Sequence, residues 1–139
     1  MKVKFIVFFI LLISVKYSFA EESLEYKVAS IDAGRWIEKN DTSVTHISNL
    51  LDETSNVFDL SKINLADMAA KGKRIAREKG VDVTISQILE ASLIICEKKC
   101  SPNRFNEIIS NYIVNRFITK QTHYQAIHGI VILNNLEKK

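Results

Sequence analysis

Apolar residues recur at spacings of three and four along most of the chain. Residues 23–39 place Leu24, Val28 and Ile31 on one stripe, and residues 43–58 repeat the pattern. This period is typical of amphipathic helices that bury one face. Only four glycines and one proline occur in 139 residues, too few for an all-β chain built on tight turns. The pattern predicts an all-α fold, a single-domain irregular bundle of five to six helices.

Polar residues that favour helix starts and stops divide this pattern into segments. Asn64 is predicted to cap the third helix, and Gly80 to end it in a left-handed conformation. Thr84 and Thr122 each precede a glutamine by three residues. That is the spacing of a capping box, and it predicts the starts of the fourth and sixth helices. Ser101, followed by proline, predicts the start of the fifth.

Residues 1–20 are typical of a secretion signal. Two lysines precede the mostly apolar residues 5–15, and small residues stand at Ser18 and Ala20, the positions that a signal peptidase reads. The apolar run would span only about half of a ~30 Å hydrocarbon core. We expect cleavage near Ala20–Glu21 and export of residues 21–139 to the periplasm or the extracellular space, without a stable membrane span. An uncleaved anchor is the alternative.

Removal of this leader changes the charge balance. Three of the 19 lysines and arginines lie in residues 1–20, and none of the 16 aspartates and glutamates does. The mature chain would therefore carry 16 positive and 16 negative side chains. A general affinity for nucleic acid or for an anionic membrane needs an excess of positive charge, so neither partner is expected.

Cys96 and Cys100 are the only two cysteines, and their spacing raises the question of a metal or haem site. A covalent haem site needs a histidine directly after the second cysteine, where Ser101 stands. A zinc site needs about four ligands. His123 and His128, five apart on a helix, point about 140° away from each other. The sequence predicts no metal site and no cofactor.

The two cysteines favour an intramolecular disulfide instead. An exported chain meets an oxidising compartment, and an even cysteine count suits pairing. Side chains four apart on a regular helix are ~5–6 Å apart at Cβ, whereas a disulfide needs roughly 3.5–4.5 Å. Pro102 disfavours helical backbone just before it, so the fourth helix is predicted to end around Cys100 and to let the sulfurs meet. Free thiols and an intermolecular bridge are the alternatives.

Four residues are candidates for contact with a partner: Trp36, Lys73, Arg77 and Ile118. Trp36 lies off the first apolar stripe, and interface hot spots favour tryptophan. Burial in the core after a kink at Gly34 is the interpretation that we prefer for it. Lys73 and Arg77 belong to the basic segment 71–79, for which a solvated helix face is the simpler explanation.

The end of the fifth helix is apolar on most sides. Val114, Phe117 and Ile118 cover three sides of it, which is typical of a central helix. A self-association face or an apolar ligand pocket is the alternative.

The motifs of common enzymes are missing from the sequence. It contains no GxSxG, HExxH or glycine-rich phosphate loop, so we assign no catalytic residue. We expect a protein that binds another protein, as a periplasmic inhibitor, immunity protein or chaperone-like factor. A carrier of a small apolar ligand, in a cavity between the fourth, fifth and sixth helices, is the alternative, and a hydrolase with dispersed catalytic residues is a third. The sequence specifies neither the partner nor the oligomeric state.

Overall fold

The structure, a computed structural model, describes residues 21–138, which form six α-helices. They are α1 (Leu24–Ala33), α2 (Thr42–Phe58), α3 (Lys62–Glu78), α4 (Ile85–Ile95), α5 (Pro102–Ile118) and α6 (His123–Glu137). No strand occurs in this part of the chain, so the predicted all-α fold is confirmed. None of these six helices is both long and apolar enough to cross a membrane. The predicted leader lies outside the described residues.

The first helix ends six residues earlier than predicted. α1 ends at Ala33 because Gly34 adopts a left-handed conformation (φ 68°). The N–H of Gly34 donates to the carbonyl of Ile31 at 3.2 Å, and the N–H of Arg35 donates to that of Ser30 at 3.2 Å. This pair of hydrogen bonds is the Schellman ending of a helix, and the chain leaves the helix axis after it.

The capping prediction is confirmed at α4 and wrong at α3. Thr84 Oγ1 accepts the N–H of Gln87 at 3.1 Å, and Gln87 Oε1 accepts the N–H of Thr84 at 3.2 Å. α3 is capped by Ser61 instead of Asn64, since the Ser61 hydroxyl accepts the N–H of Asn64 at 3.2 Å. α3 therefore begins at Lys62, and Asn64 lies within its first turn.

The starts predicted for α5 and α6 and the stop predicted for α3 agree with the structure. α5 begins at Pro102. α6 begins at His123, where Gln125 Oε1 accepts the N–H of Thr122 at 3.0 Å. Gly80, just beyond α3, has the left-handed backbone that was predicted (φ 74°).

α4 is the central helix of the bundle, since it contacts each of the other five. The largest fully buried apolar side chains are Tyr112, Phe58, Phe105, Ile47, Leu51, Leu65, Ile85, Ile88, Leu89, Ile108 and Val83. Phe58 of α2 and Phe105 of α5 meet edge to face, with ring centroids 5.2 Å apart. Val114 and Ile118 are exposed, so the interpretation of the end of α5 as central is wrong.

Gly72 is the point of closest approach between α3 and its neighbours. A Cβ atom there would lie 2.7 Å from Ile109 Cγ2 of α5 and 3.2 Å from Ile88 Cδ1 of α4. Glycine at this position lets the helices pack closely, which places large apolar side chains of α4 and α5 directly against the α3 backbone.

The disulfide closes the segment that follows α4. Cys96 and Cys100 are bonded, with their Cα atoms 6.1 Å apart. α4 ends at Ile95, so the prediction that it continues to about Cys100 is wrong. Cys96 already has a non-helical backbone, and the N–H of Cys100 donates to the carbonyl of Val57 at 3.1 Å. The disulfide therefore lies in a loop that is attached to the end of α2.

Candidate functional site

The C-terminal end of α1 is fixed against α3 and α4. Asp32 accepts the N–H of Ser86 at 3.0 Å, and it also accepts from the N–H of Ile85 and the hydroxyl of Ser86. Lys73 of α3 donates to the carbonyls of Ile31 and Asp32 at 3.2 and 3.3 Å. A carboxylate at a helix N-terminus binds its free N–H groups and interacts favourably with the helix dipole. These contacts make the exposed face of α1 a rigid part of the surface.

The predicted contact residues lie at different places on this surface. Lys73 is largely covered, because it binds the end of α1, and so is not part of a solvated face. Arg77 is exposed and lines a cleft beside residues 80–83. Ile118 is 66% exposed at the end of α5. Trp36 is 73% exposed.

The interpretation of Trp36 as a core residue is wrong. Because Gly34 reverses the chain, the residue that enters the core is Ile37, which is buried. Trp36 remains outside and borders a surface groove of about 550 Å³. We call this the Trp36 groove; its lining is Lys27, Ser30, Ile31, Gly34, Arg35 and Trp36.

Trp36 is held in place although it is exposed. Its ring stacks on that of Tyr26, with centroids 5.9 Å apart and 19° between the planes. The hydroxyl of Tyr26 donates to the carbonyl of Ile37 at 2.8 Å. The hydrogen bonds around Gly34 hold the other side of this segment. A large aromatic ring therefore stands in a fixed position at the surface, next to Ile31, which is 51% exposed.

The Trp36 groove is flanked by positive charge. Lys27 and Arg35 line it, and neither is within 4.0 Å of a carboxylate in the described residues. The nearby Asp41 binds the N–H and hydroxyl of Ser43 at 2.9 and 2.6 Å. These bonds lower the pKa of Asp41 below its usual value, with a smaller contribution from the charge of Arg35.

A second cluster of polar side chains joins α4, α5 and α6. Tyr112 OH lies 2.6 Å from His123 Nδ1, and His123 Nε2 lies 3.0 Å from Glu90 Oε2. Arg116 donates to the Tyr112 hydroxyl at 3.2 Å. Burial raises the pKa of Tyr112, against the charge and hydrogen bond of Arg116, so the phenol stays protonated. Tyr112 can then donate to His123, and His123 to Glu90.

This cluster contains a carboxylate, an imidazole and a hydroxyl, as a catalytic triad does, but its hydroxyl is buried, so a substrate cannot reach it. Tyr112 is 1% exposed, so its role is to hold the start of α6 against α4 and α5. The cluster could not be predicted from the sequence, because Glu90 and His123 are 33 residues apart. One signal was present: a short connection brings the end of α5 back to the start of α6, which places Tyr112 near His123.

No group of three or more potential metal ligands converges within residues 21–138. Comparison of the chain with protein-family models, curated proteins and solved structures found no match. The geometry of the Trp36 groove and of the Tyr112 cluster is therefore the basis for a functional proposal.

Proposed function

We propose that this protein is exported and acts by binding another protein through the Trp36 groove, as a periplasmic inhibitor, immunity protein or chaperone-like factor. The observation that carries the proposal is the position of Trp36, which is 73% exposed and yet held by stacking on Tyr26. Exposing so large an aromatic ring forgoes the free energy of burying it. A partner that covers the ring would recover that free energy.

The fixed position of Trp36 suits an anchor for a partner. Binding energy at interfaces is concentrated in a few residues, and tryptophan is prominent among them. An anchor that is already ordered loses little conformational entropy on binding. The disulfide between Cys96 and Cys100 supports the export part of the proposal, because such bonds persist in oxidising compartments.

The test is partner capture from the exported fraction with matched variants. Trp36→Ala removes the anchor, and Ile118→Ala removes an apolar side chain of similar exposure elsewhere. We expect the wild type and Ile118→Ala to retain the same partner protein, and Trp36→Ala to lose it. Equal retention by Trp36→Ala would refute the proposal for this surface.

The alternative function, a carrier of a small apolar ligand within the bundle, is our second proposal. It requires space between α4, α5 and α6. The structure describes a cleft where the ends of these three helices meet, and its lining is mainly polar or charged, including Lys99, Arg104 and Asn134. Such a lining suits an apolar ligand poorly, so this function is second. Native mass spectrometry separates the two, since a carrier would be purified with additional small-molecule mass and a protein binder with a partner chain.

A further inference from the structure

We infer that the Trp36 groove binds an acidic segment of the partner, whose carboxylates meet Lys27 and Arg35 while an apolar side chain between them covers Ile31 and Trp36. This inference rests on the proposed function and names the chemistry of the partner's binding segment.

Three acidic side chains close to the groove are committed to other contacts. Asp32 binds the N-terminus of α4, where Ile85 and Ser86 donate to it. Glu22 pairs with Lys39 at 3.1 Å, and Glu25 lies 3.9 Å from Lys62 Nζ. The lining of the groove contains Lys27 and Arg35 and no acidic residue, so a chain with no net charge after residue 20 presents a locally cationic surface here. Such a surface attracts acidic partners and orients them during encounter.

The spacing of the two cations defines the segment further. The groove follows α1 from Lys27 to Gly34, and at 1.5 Å per residue this is about 10 Å along the helix axis. Arg35 follows directly. An extended chain rises about 3.3 Å per residue and points every second side chain to the same face, so carboxylates four residues apart, about 13 Å along the segment, lie on one face and can be reached by the long side chains of both cations. The partner segment that fits best therefore has acidic residues at i and i+4 and a large apolar residue at i+2.

A protein segment suits this surface better than a nucleic acid or a membrane. Binding of a phosphate backbone depends on many cations acting together, whereas Lys27 and Arg35 are the two that line the groove. The apolar part of the lining, Ile31 and Trp36, belongs to the same groove as those charges and requires an apolar group on the ligand. A short acidic stretch with one aromatic or aliphatic side chain supplies both.

A displayed library of random peptides provides the test. The mature protein is the target, and the peptides that it enriches are compared with those enriched by Trp36→Ala and by the double charge reversal Lys27→Glu/Arg35→Glu. Lys98→Glu is the control, since Lys98 is exposed and lines a different cleft, beside the disulfide. All substituted side chains are exposed, and circular dichroism of each variant verifies that the fold is kept.

We expect enriched peptides to carry Asp or Glu about four residues apart, with Phe, Trp, Leu or Ile midway between them. They should lose affinity about tenfold or more on the charge-reversed protein and none on Lys98→Glu. Trp36 is the only tryptophan, so binding should also shift its emission to shorter wavelength, and added salt should weaken the binding.

The two levels of the proposal fail differently. Peptides that depend on Trp36 but are neutral or basic would overturn the acidic segment and leave the binding surface in place. Peptides that bind wild type and Trp36→Ala equally, or no enrichment above Trp36→Ala, would overturn the proposed function itself.

Discussion

Ser30 and Ser92 are both buried helical serines with different hydrogen bonding. Ser92 Oγ donates to the carbonyl of Ile88 at 2.8 Å, whereas Ser30 Oγ has no partner among the described residues. A buried hydroxyl without a hydrogen bond costs free energy, and one that is paired contributes about 1 kcal/mol. We predict that Ser30→Ala leaves the free energy of unfolding unchanged or raises it, and that Ser92→Ala lowers it by about 1 kcal/mol. Urea denaturation measures both, and an equal loss in the two variants would contradict the prediction.

Tyr112 gives the stability of the protein a dependence on alkaline pH. Burial raises its pKa in the folded chain, with Arg116 opposing the shift. The folded state therefore holds the phenolic proton at pH values where the unfolded chain has lost it, so this contribution to stability is complete below the ordinary tyrosine pKa of about 10 and is lost as pH rises above it.

Substitution of Tyr112 tests this dependence. We predict that the free energy of unfolding of Tyr112→Phe falls less steeply between about pH 9 and 11 than that of the wild type. Tyr124→Phe, at an exposed phenol, is the control and should keep the wild-type slope. The prediction fails if Tyr112→Phe and the wild type have parallel pH profiles.

At the scale of the helix, Gly72 and Gly129 should respond oppositely to alanine. A Cβ at Gly72 would lie 2.7 Å from Ile109 Cγ2, whereas the nearest atom to a Cβ at Gly129 is Asn115 Nδ2 at 3.7 Å. Alanine is favoured over glycine in helices by about 1 kcal/mol, and overpacking costs roughly 1–3 kcal/mol.

We therefore predict that Gly129→Ala raises the free energy of unfolding by up to about 1 kcal/mol and that Gly72→Ala lowers it by about 1–2 kcal/mol. Thermal and urea denaturation of the two variants, compared with wild type, provide the measurement. An increase in the free energy of unfolding of Gly72→Ala would contradict the prediction, because it would show that α3 and α5 can move apart without cost.

The disulfide loop after α4 should contribute modestly to stability. Cys96 and Cys100 close a short loop, and in the loop-entropy model this constrains the unfolded chain by about 2 kcal/mol. We predict that Cys96→Ala/Cys100→Ala lowers the free energy of unfolding by about this amount and leaves the helices formed. Denaturation of the wild type with and without dithiothreitol is the matched comparison. A variant as stable as the oxidised protein would contradict the prediction.

The sequence predicted the helices better than their ends. Period and capping boxes located α4 and α6, because Thr84 and its partner Gln87 are close in sequence. The early end of α1 at Gly34 was missed, since apolar spacing continued past it and the conformation of one glycine decided where the chain turned. The exposure of Trp36 follows from the same turn. Only one of the two neighbours Trp36 and Ile37 can occupy the core position there, and it is Ile37.

The contacts that build the candidate site are tertiary, which is why the sequence did not reveal them. Asp32 binds Ser86 across 54 residues, and Glu90 binds His123 across 33. Each partner alone is an ordinary polar residue of a helix. Trp36 was recognised as a candidate contact from its type, but the cations beside it became meaningful only once the fold had placed Lys27 and Arg35 along one groove.

At the scale of the whole molecule, the net charge conceals an uneven distribution. The 16 positive and 16 negative side chains of residues 21–139 cancel in total, yet the lining of the Trp36 groove contains Lys27 and Arg35 and no acidic residue. Residues 21–139 therefore combine a net charge of zero with a cationic, apolar groove. Added salt would weaken the protein's binding of a partner, because ions screen the two groove cations. Its overall solubility and long-range attraction would still be those of a protein without net charge.

The six described helices lie within residues 24–137. A cut after Ala20 would therefore fall outside every one of them, as the predicted removal of a leader requires. We predict that protein isolated from the exported fraction begins at Glu21 and is about 2 Da lighter than its reduced form, because the disulfide has formed. Intact-mass spectrometry with and without reductant measures both.

A matched control is the same chain with Ala20 replaced by a large residue, Ala20→Tyr, because signal peptidases read small residues at this position. The variant should accumulate uncut in the cell. An exported wild type that retains residues 1–20 would point to the uncleaved anchor, and an exported chain with two free thiols would remove the disulfide's support for an oxidising compartment.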